Sequence, residues 1–241
     1  MLASATSSMR PPCSLAGRRL LAAALGLALS LAAGCADDRA PPFPEGQGQA
    51  PGGSDGYPAG PYGVEKGSTI ANFKLSGLPN PEQSKGEQVE IQLADFYNPT
   101  GDGTFPEGSV FGEGTPLPRV LLVNIGAVWC QPCQYEADVV LPVHYEEYSP
   151  LGVQFLLVLA DGPNVGVPAT FNHLVTWTTR YETPWPATID PDYAVGSLFK
   201  ANAFPVNIVV DTKTMRIAEA VAGLPEDGGP LFQALDALAK P

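Results

Sequence analysis

Residues 120–133 read VLLVNIGAVWCQPC. Val120–Ile125 is a near-continuous apolar run, the pattern of a central strand covered on both faces. Beyond Cys130 the period changes. Ala137, Val140, Leu141, His144, Tyr145 and Tyr148 recur at three- and four-residue steps, one face of an amphipathic helix. Trp129-Cys130-Gln131-Pro132-Cys133 therefore stands where a buried strand passes into a helix. Pro142 lies inside that helix and should kink it, because it has no N–H for the carbonyl of Asp138.

That position suits sulfur chemistry. A thiolate at a helix N-terminus is favoured by unpaired N–H groups and the positive end of the dipole, which lowers its pKa. The two-residue spacer sets the second sulfur about one turn further in, within reach of a mixed disulfide formed by the first. Cys130 is the expected attacking thiol and Cys133, more buried, the resolving one. Half of a zinc site is the competing reading. Tetrahedral zinc needs four ligands, or three plus water, whereas this chain has no second CxxC and only His144 and His173. His144, on the apolar helix face, reads as a structural residue, and no metal is expected.

Working outward, Val89–Leu93 alternates like a half-buried strand and Val153–Ala160 is a second buried run. Pro168–Tyr181 reads as a helix with Pro168 in its first turn and Phe171, Leu174 and Val175 inward. Trp185–Ile189 is a short strand. Val206–Val210 and Arg216–Val221 form a strand pair joined by Asp211-Thr212-Lys213-Thr214. Leu231, Leu235 and Leu238 give the last helix its stripe. This order implies an α/β fold: a central mixed β-sheet flanked by helices on both faces. Residues 98–118, rich in Gly and Pro, read as a solvated insertion that helps dock a partner. Its Asp102, Glu107 and Glu113 fit no EF-hand spacing.

The first third of the 241 residues has another texture. Arg10, Arg18 and Arg19 precede an apolar run at 20–33, then Gly34-Cys35 and two acids. This is the form of a secretory signal, too short for a spanning helix. Ala32-Ala33-Gly34-Cys35 resembles a bacterial lipobox, so 1–35 reads as a lipoprotein signal with Cys35 as the lipidation site. An ordinary cleavage site beside an incidental cysteine is the plainer alternative. Residues 36–65, dense in Pro, Gly and Gln, read as a flexible tether reaching about 30 Å, and 66–241 as one domain. Once the signal and the lipidated cysteine are set aside, Cys130 and Cys133 are the two thiols left, which suggests a redox couple. Beyond Cys35 stand ten basic and 25 acidic residues, net −15. Such a surface disfavours nucleic acid and anionic lipid.

From about residue 66 onward the chain resembles the TlpA/ResA-type branch of the thioredoxin-like family, membrane-facing exported disulfide reductases. Gly67–Leu75 (GSTIANFKL) resembles that branch's G-x-x-A-P-x-F-x-L start. Val123–Cys133 (VNIGAVWCQPC) resembles its V-N-F-W-A-x-W-C-x-P-C block. Ala203-Phe204-Pro205-Val206 falls where the family carries a cis-proline loop. The resemblance implies a thioredoxin-like fold with Pro205 cis. It sets the Phe204 backbone beside the sulfurs and places Trp129, Gln131 and Pro132 toward the substrate. Glu136 matches an acid that the branch keeps near its thiols, a group able to take the proton Cys133 must lose. A surface residue favoured by the helix dipole is the rival account of Glu136. Four positions depart from the pattern. Asn124 stands where ordinary thioredoxins carry a buried Asp, Gly126 replaces the family's aromatic, Phe204 a small or β-branched residue, and the helix proline stands later, at 142.

The implied protein is a lipid-anchored thiol–disulfide oxidoreductase of the bacterial cell envelope, facing the periplasm or exterior. It reduces disulfides of other exported proteins, takes electrons from an upstream membrane donor, and needs no cofactor beyond its Cys130–Cys133 disulfide. It is expected to be monomeric. Two rivals share the fold. A Sco-type copper carrier would use a three-residue spacer and a distant histidine; a peroxidase would set its cysteine in Pro-x-x-x-Thr-x-x-Cys. Neither pattern occurs here.

Overall fold

The computed structural model describes residues 56–83, 86–199 and 203–240. The signal, Cys35 and positions 36–55 of the tether lie outside the described residues. Among the described residues seven strands form one sheet: β1 (Lys74–Leu78), β2 (Val89–Gln92), β3 (Val120–Ala127), β4 (Val153–Asp161), β5 (Ala187–Ile189), β6 (Val206–Asp211) and β7 (Arg216–Ala222). Their order across the sheet is β2-β1-β5-β4-β3-β6-β7. β3 pairs parallel to β4 and antiparallel to β6, so the sheet is mixed. All of β3 is buried, as its unbroken apolar run requires. Among the described residues no helix is long and apolar enough to cross a membrane.

β1 alternates only over Lys74-Leu75-Ser76, and Gly77 inside it argues against a strand. The structure explains the glycine. A Cβ there would collide with the Ala187 carbonyl and the Thr188 backbone of the neighbouring β5. Close approach of two strands demands the residue that hides the strand from sequence.

Alternation along β3 sorts the layers. Val123 and Ile125 share an apolar space with Ile70, Phe73, Leu93 and Phe199, so this face is closed by chain around 3-10 turns at Leu93–Phe96 and Gly196–Leu198. Asn124 and Gly126 face the opposite layer, built from α1 (Gln131–Tyr135), α2 (Leu141–Tyr148), α3 (Phe171–Arg180) and α4 (Pro230–Ala239). His144 of α2 stacks on Phe232 of α4 with centroids 4.0 Å apart, the packed structural role expected of it.

Pro142 produces a change of helix type. Between α1 and α2, Glu136–Val140 forms a π-turn, with Leu141 N–H bonded to the Glu136 carbonyl. Widening the turn accommodates a residue that can neither donate to nor pass close to the carbonyl four residues back. Pro168 lies before its helix. It bridges to Asp161 at the end of β4, and Thr170 caps α3, accepting from His173 N–H while His173 Nδ1 accepts from Thr170 N–H.

Folded chain begins ahead of Lys66. Tyr57, 8% exposed, donates its hydroxyl to the Ile70 carbonyl and meets Tyr97 edge-on. Two aromatic anchors, Tyr57 and Tyr62, outweigh a Pro/Gly-rich composition. The insertion is also ordered. Asn98 Oδ1 accepts from Gly101 and Gly103, and Phe105 and Phe111 pack on Phe96. It precedes β3, whereas the cysteines follow it. Eight residues at ~3.3 Å each therefore separate the insertion from the dithiol end of that strand.

Candidate active site

Cys130 is the N-cap of α1, with extended backbone, and its sulfur accepts from Cys133 N–H at 3.1 Å. The strand–helix junction thus delivers the expected contact between the first sulfur and a helix N-terminal donor. Cys130 and Cys133 are joined by a disulfide, S–S 2.06 Å and Cα–Cα 5.2 Å. Burial does not rank the two cysteines as expected. Cys130 is 2% exposed and Cys133 3%, because the capping loop folds its sulfur toward the helix. Gln131 and Pro132 between them are exposed, while Trp129 is half-buried.

Trp129 is fixed by Asp161, a residue the sequence reading missed. Its Nε1–H donates to Asp161 Oδ2 at 2.9 Å, and that oxygen also accepts from Gly166 N–H at 2.9 Å. On its other side the indole meets Phe204 edge-on, centroids 6.1 Å apart. Phe204–Pro205 is a cis peptide. The last β3–β6 pair sets Ile125 opposite Val206, so Pro205 falls alongside Gly126. A Cβ on Gly126 would stand 3.5 Å from Cys133 Cβ and 3.7 Å from its sulfur. Register alone therefore brings the Phe204-Pro205 loop and the disulfide to one end of the sheet.

One turn beyond Cys133, Glu136 points inward and is 1% exposed. Of the two accounts of this residue, the surface one does not hold. Its Oε2 accepts from Asn124 Nδ2 at 2.7 Å and its Oε1 from Asn207 Nδ2 at 2.6 Å. Asn124 Nδ2 donates in addition to Asn207 Oδ1 at 3.0 Å. Burial without a cation pushes the carboxyl up to about 7, against the opposing pull of the two carboxamides. Such a group, three residues beyond Cys133, can exchange a proton near neutral pH. Asn207 was also missed. The one available signal was a lone polar residue inside the apolar run VNIVV.

The dithiol, Trp129, the Phe204-Pro205 loop and Glu136 thus meet at one end of the sheet; Cys35 lies outside the described residues. His173 belongs to the α3 cap, and His144 stacks on Phe232 with its Nδ1 buried and, among the described residues, without a hydrogen-bond partner.

No protein-family model matches the chain, and no curated protein sequence matches it. Solved structures do. One is described as a thiol:disulfide interchange protein DsbE from Chlorobium tepidum, at TM-score 0.51 and 19% identity, over 73% of this chain and 99% of that one. Another is described as a protein disulfide isomerase from Bacteroides thetaiotaomicron, at TM-score 0.52 and 13% identity, over 76% and 95%. A third is the reduced 2-Cys peroxiredoxin of Plasmodium vivax, at TM-score 0.50 and 11% identity, over 74% and 83%. At these identities the likeness establishes the thioredoxin-like fold.

Proposed function

We propose that this chain is an exported, lipid-anchored thiol–disulfide oxidoreductase that reduces disulfides of other exported proteins through Cys130 and Cys133. The observation that carries the reading is the Cys130 sulfur at the helix N-cap, bonded to a backbone N–H and bridged to Cys133. The fold shared with thiol–disulfide exchange proteins supports it.

In the reduced protein the Cys130 thiolate attacks one sulfur of a partner disulfide. That S–S bond breaks, one partner sulfur leaves as thiolate, and a mixed disulfide forms. The Cys133 thiol passes its proton to the Glu136 carboxylate, then attacks the Cys130 sulfur. The second partner sulfur leaves, the partner has gained two electrons, and the Cys130–Cys133 disulfide is restored. Trp129, Gln131 and Pro132 and the Phe204-Pro205 loop frame the docking partner strand. An upstream membrane dithiol resets the pair, and Cys35, acylated, holds the protein at the envelope membrane.

Insulin disulfide reduction by the purified domain tests the chemistry. Cys133→Ala should accumulate a partner-linked species that dithiothreitol releases; a variant that never forms one would exclude this order of attack. Equilibration with glutathione buffers tests direction, and a strongly oxidising potential would reverse it. Cys35→Ser should move the protein from the membrane to the soluble fraction.

A further inference from the structure

We infer that Asn207, locked by its register partner Asn124, is a positioning residue for Glu136: its carboxamide fixes the orientation of the carboxylate and favours its ionised form. The inference rests on the reading that Glu136 takes the Cys133 proton.

The β3–β6 register sets Asn124 directly opposite Asn207, so both side chains leave the sheet on the face that carries α1 and the π-turn. Asn207 is 0% exposed. Burying a carboxamide is costly unless both ends are bonded. Asn207 meets that demand within a closed ring: Oδ1 takes an Asn124 N–H, and Nδ2 gives one to Glu136 Oε1. Asn124 Nδ2 serves both Glu136 Oε2 and Asn207 Oδ1.

The ring runs in one sense. Turning the Asn207 amide over would set its oxygen against the carboxylate and its NH2 against the NH2 of Asn124, two repulsions in place of two bonds. Turning Asn124 over fails in the same way. Both oxygens of Glu136 therefore face donors. An added proton would face a donor too and break one of the bonds, so the ring holds the carboxylate acceptor-ready. Among the described residues no charged group shares the control. Burial and these two amides account for the titration of Glu136. β3 contributes Asn124 and Gly126, β6 Asn207, and α1 Cys133, which ionises only after reduction.

Glu136 ionisation can be followed in the oxidised protein by carboxylate 13C NMR, alongside the pH dependence of mixed-disulfide resolution. Asn207→Leu should raise the midpoint from about 7 by about one to two pH units, the loss of one charged hydrogen bond. The resolution profile should move with it. Asn207→Ser, which retains a donor, should move both less. Should Asn207→Leu not fold, Asn207→Val, suited to the strand, carries the same expectation. An unmoved midpoint in the Leu or Val variant overturns the inference. The underlying reading fails separately, if Glu136→Gln leaves the resolution profile unchanged.

Discussion

Glu136 and Asp190 are both 1% exposed, and burial raises the pKa of each, yet the molecule holds them by different means. Asp190 follows β5 and accepts from the backbone N–H groups of Ala194, Val195 and Gly196 at 2.7–2.9 Å. Its donors lie within six residues, so the carboxylate shapes its own turn, as an Asx-type motif does. Glu136 takes its donors from side chains 12 and 71 residues away, on two strands. That cage exists only once sheet register and helix packing are complete. Backbone donors cannot be exchanged by mutation, whereas side-chain donors can. The local cage builds structure; the assembled one, around a residue three beyond Cys133, can tune chemistry.

The largest expected difference between the two regions is in activity. Cys130→Ala, at the Glu136 end, should abolish insulin reduction, while Asp190→Ala should leave it intact per folded molecule. Full activity in Cys130→Ala would assign the attack to another sulfur. Stability should divide the opposite way. Asp190→Ala strands two buried donors and one part-buried one and should cost about 3–5 kcal/mol by urea unfolding. Glu136→Gln retains the shape, sets its NH2 against one amide donor, and so loses one bond of the ring; it should cost less. Equal losses would erase the distinction between the cages.

Next in size is a pH effect. The folded protein keeps the Glu136 proton up to about 7, while the unfolded chain releases it near 4.5. Between those values the native state binds more protons, so stability falls as pH rises, by at most about 3 kcal/mol, and then levels off. Glu136→Gln should flatten this slope. A shallow residue of the same sign should persist from Asp190 and Asp95, both raised chiefly by burial. An unchanged slope would mean that Glu136 is ionised throughout. Smallest is Gly126→Ala. Its Cβ would make ordinary contact with Cys133 at 3.5 Å, so denaturation should show a gain of about 0.5 kcal/mol from the stiffened unfolded chain. A loss above 1 kcal/mol would place an essential close approach there.

Most strands and all the principal helices were readable, because each rests on a local period. The exceptions have physical causes. β1 was concealed by Gly77, which a neighbouring strand requires. Pro168 was set inside α3 because a first-turn proline and a bridging proline look alike in sequence. At the site, Trp129, Cys130, Cys133 and Pro205 lie in recognisable local strings. Asp161 and Asn207 do not, since what makes them part of the site is a neighbour 32 or 71 residues distant.

By itself the sequence determined that two cysteines stand at a strand–helix junction, because apolar periodicity and a two-residue spacer are properties of a few turns of chain. Tertiary structure alone decided that Glu136 faces inward, that Asn124 lies opposite Asn207, and that Asp161 holds Trp129. Those facts depend on which strands become neighbours and in what register. A strand's period reveals that it has two faces; only the assembled sheet determines what each face meets.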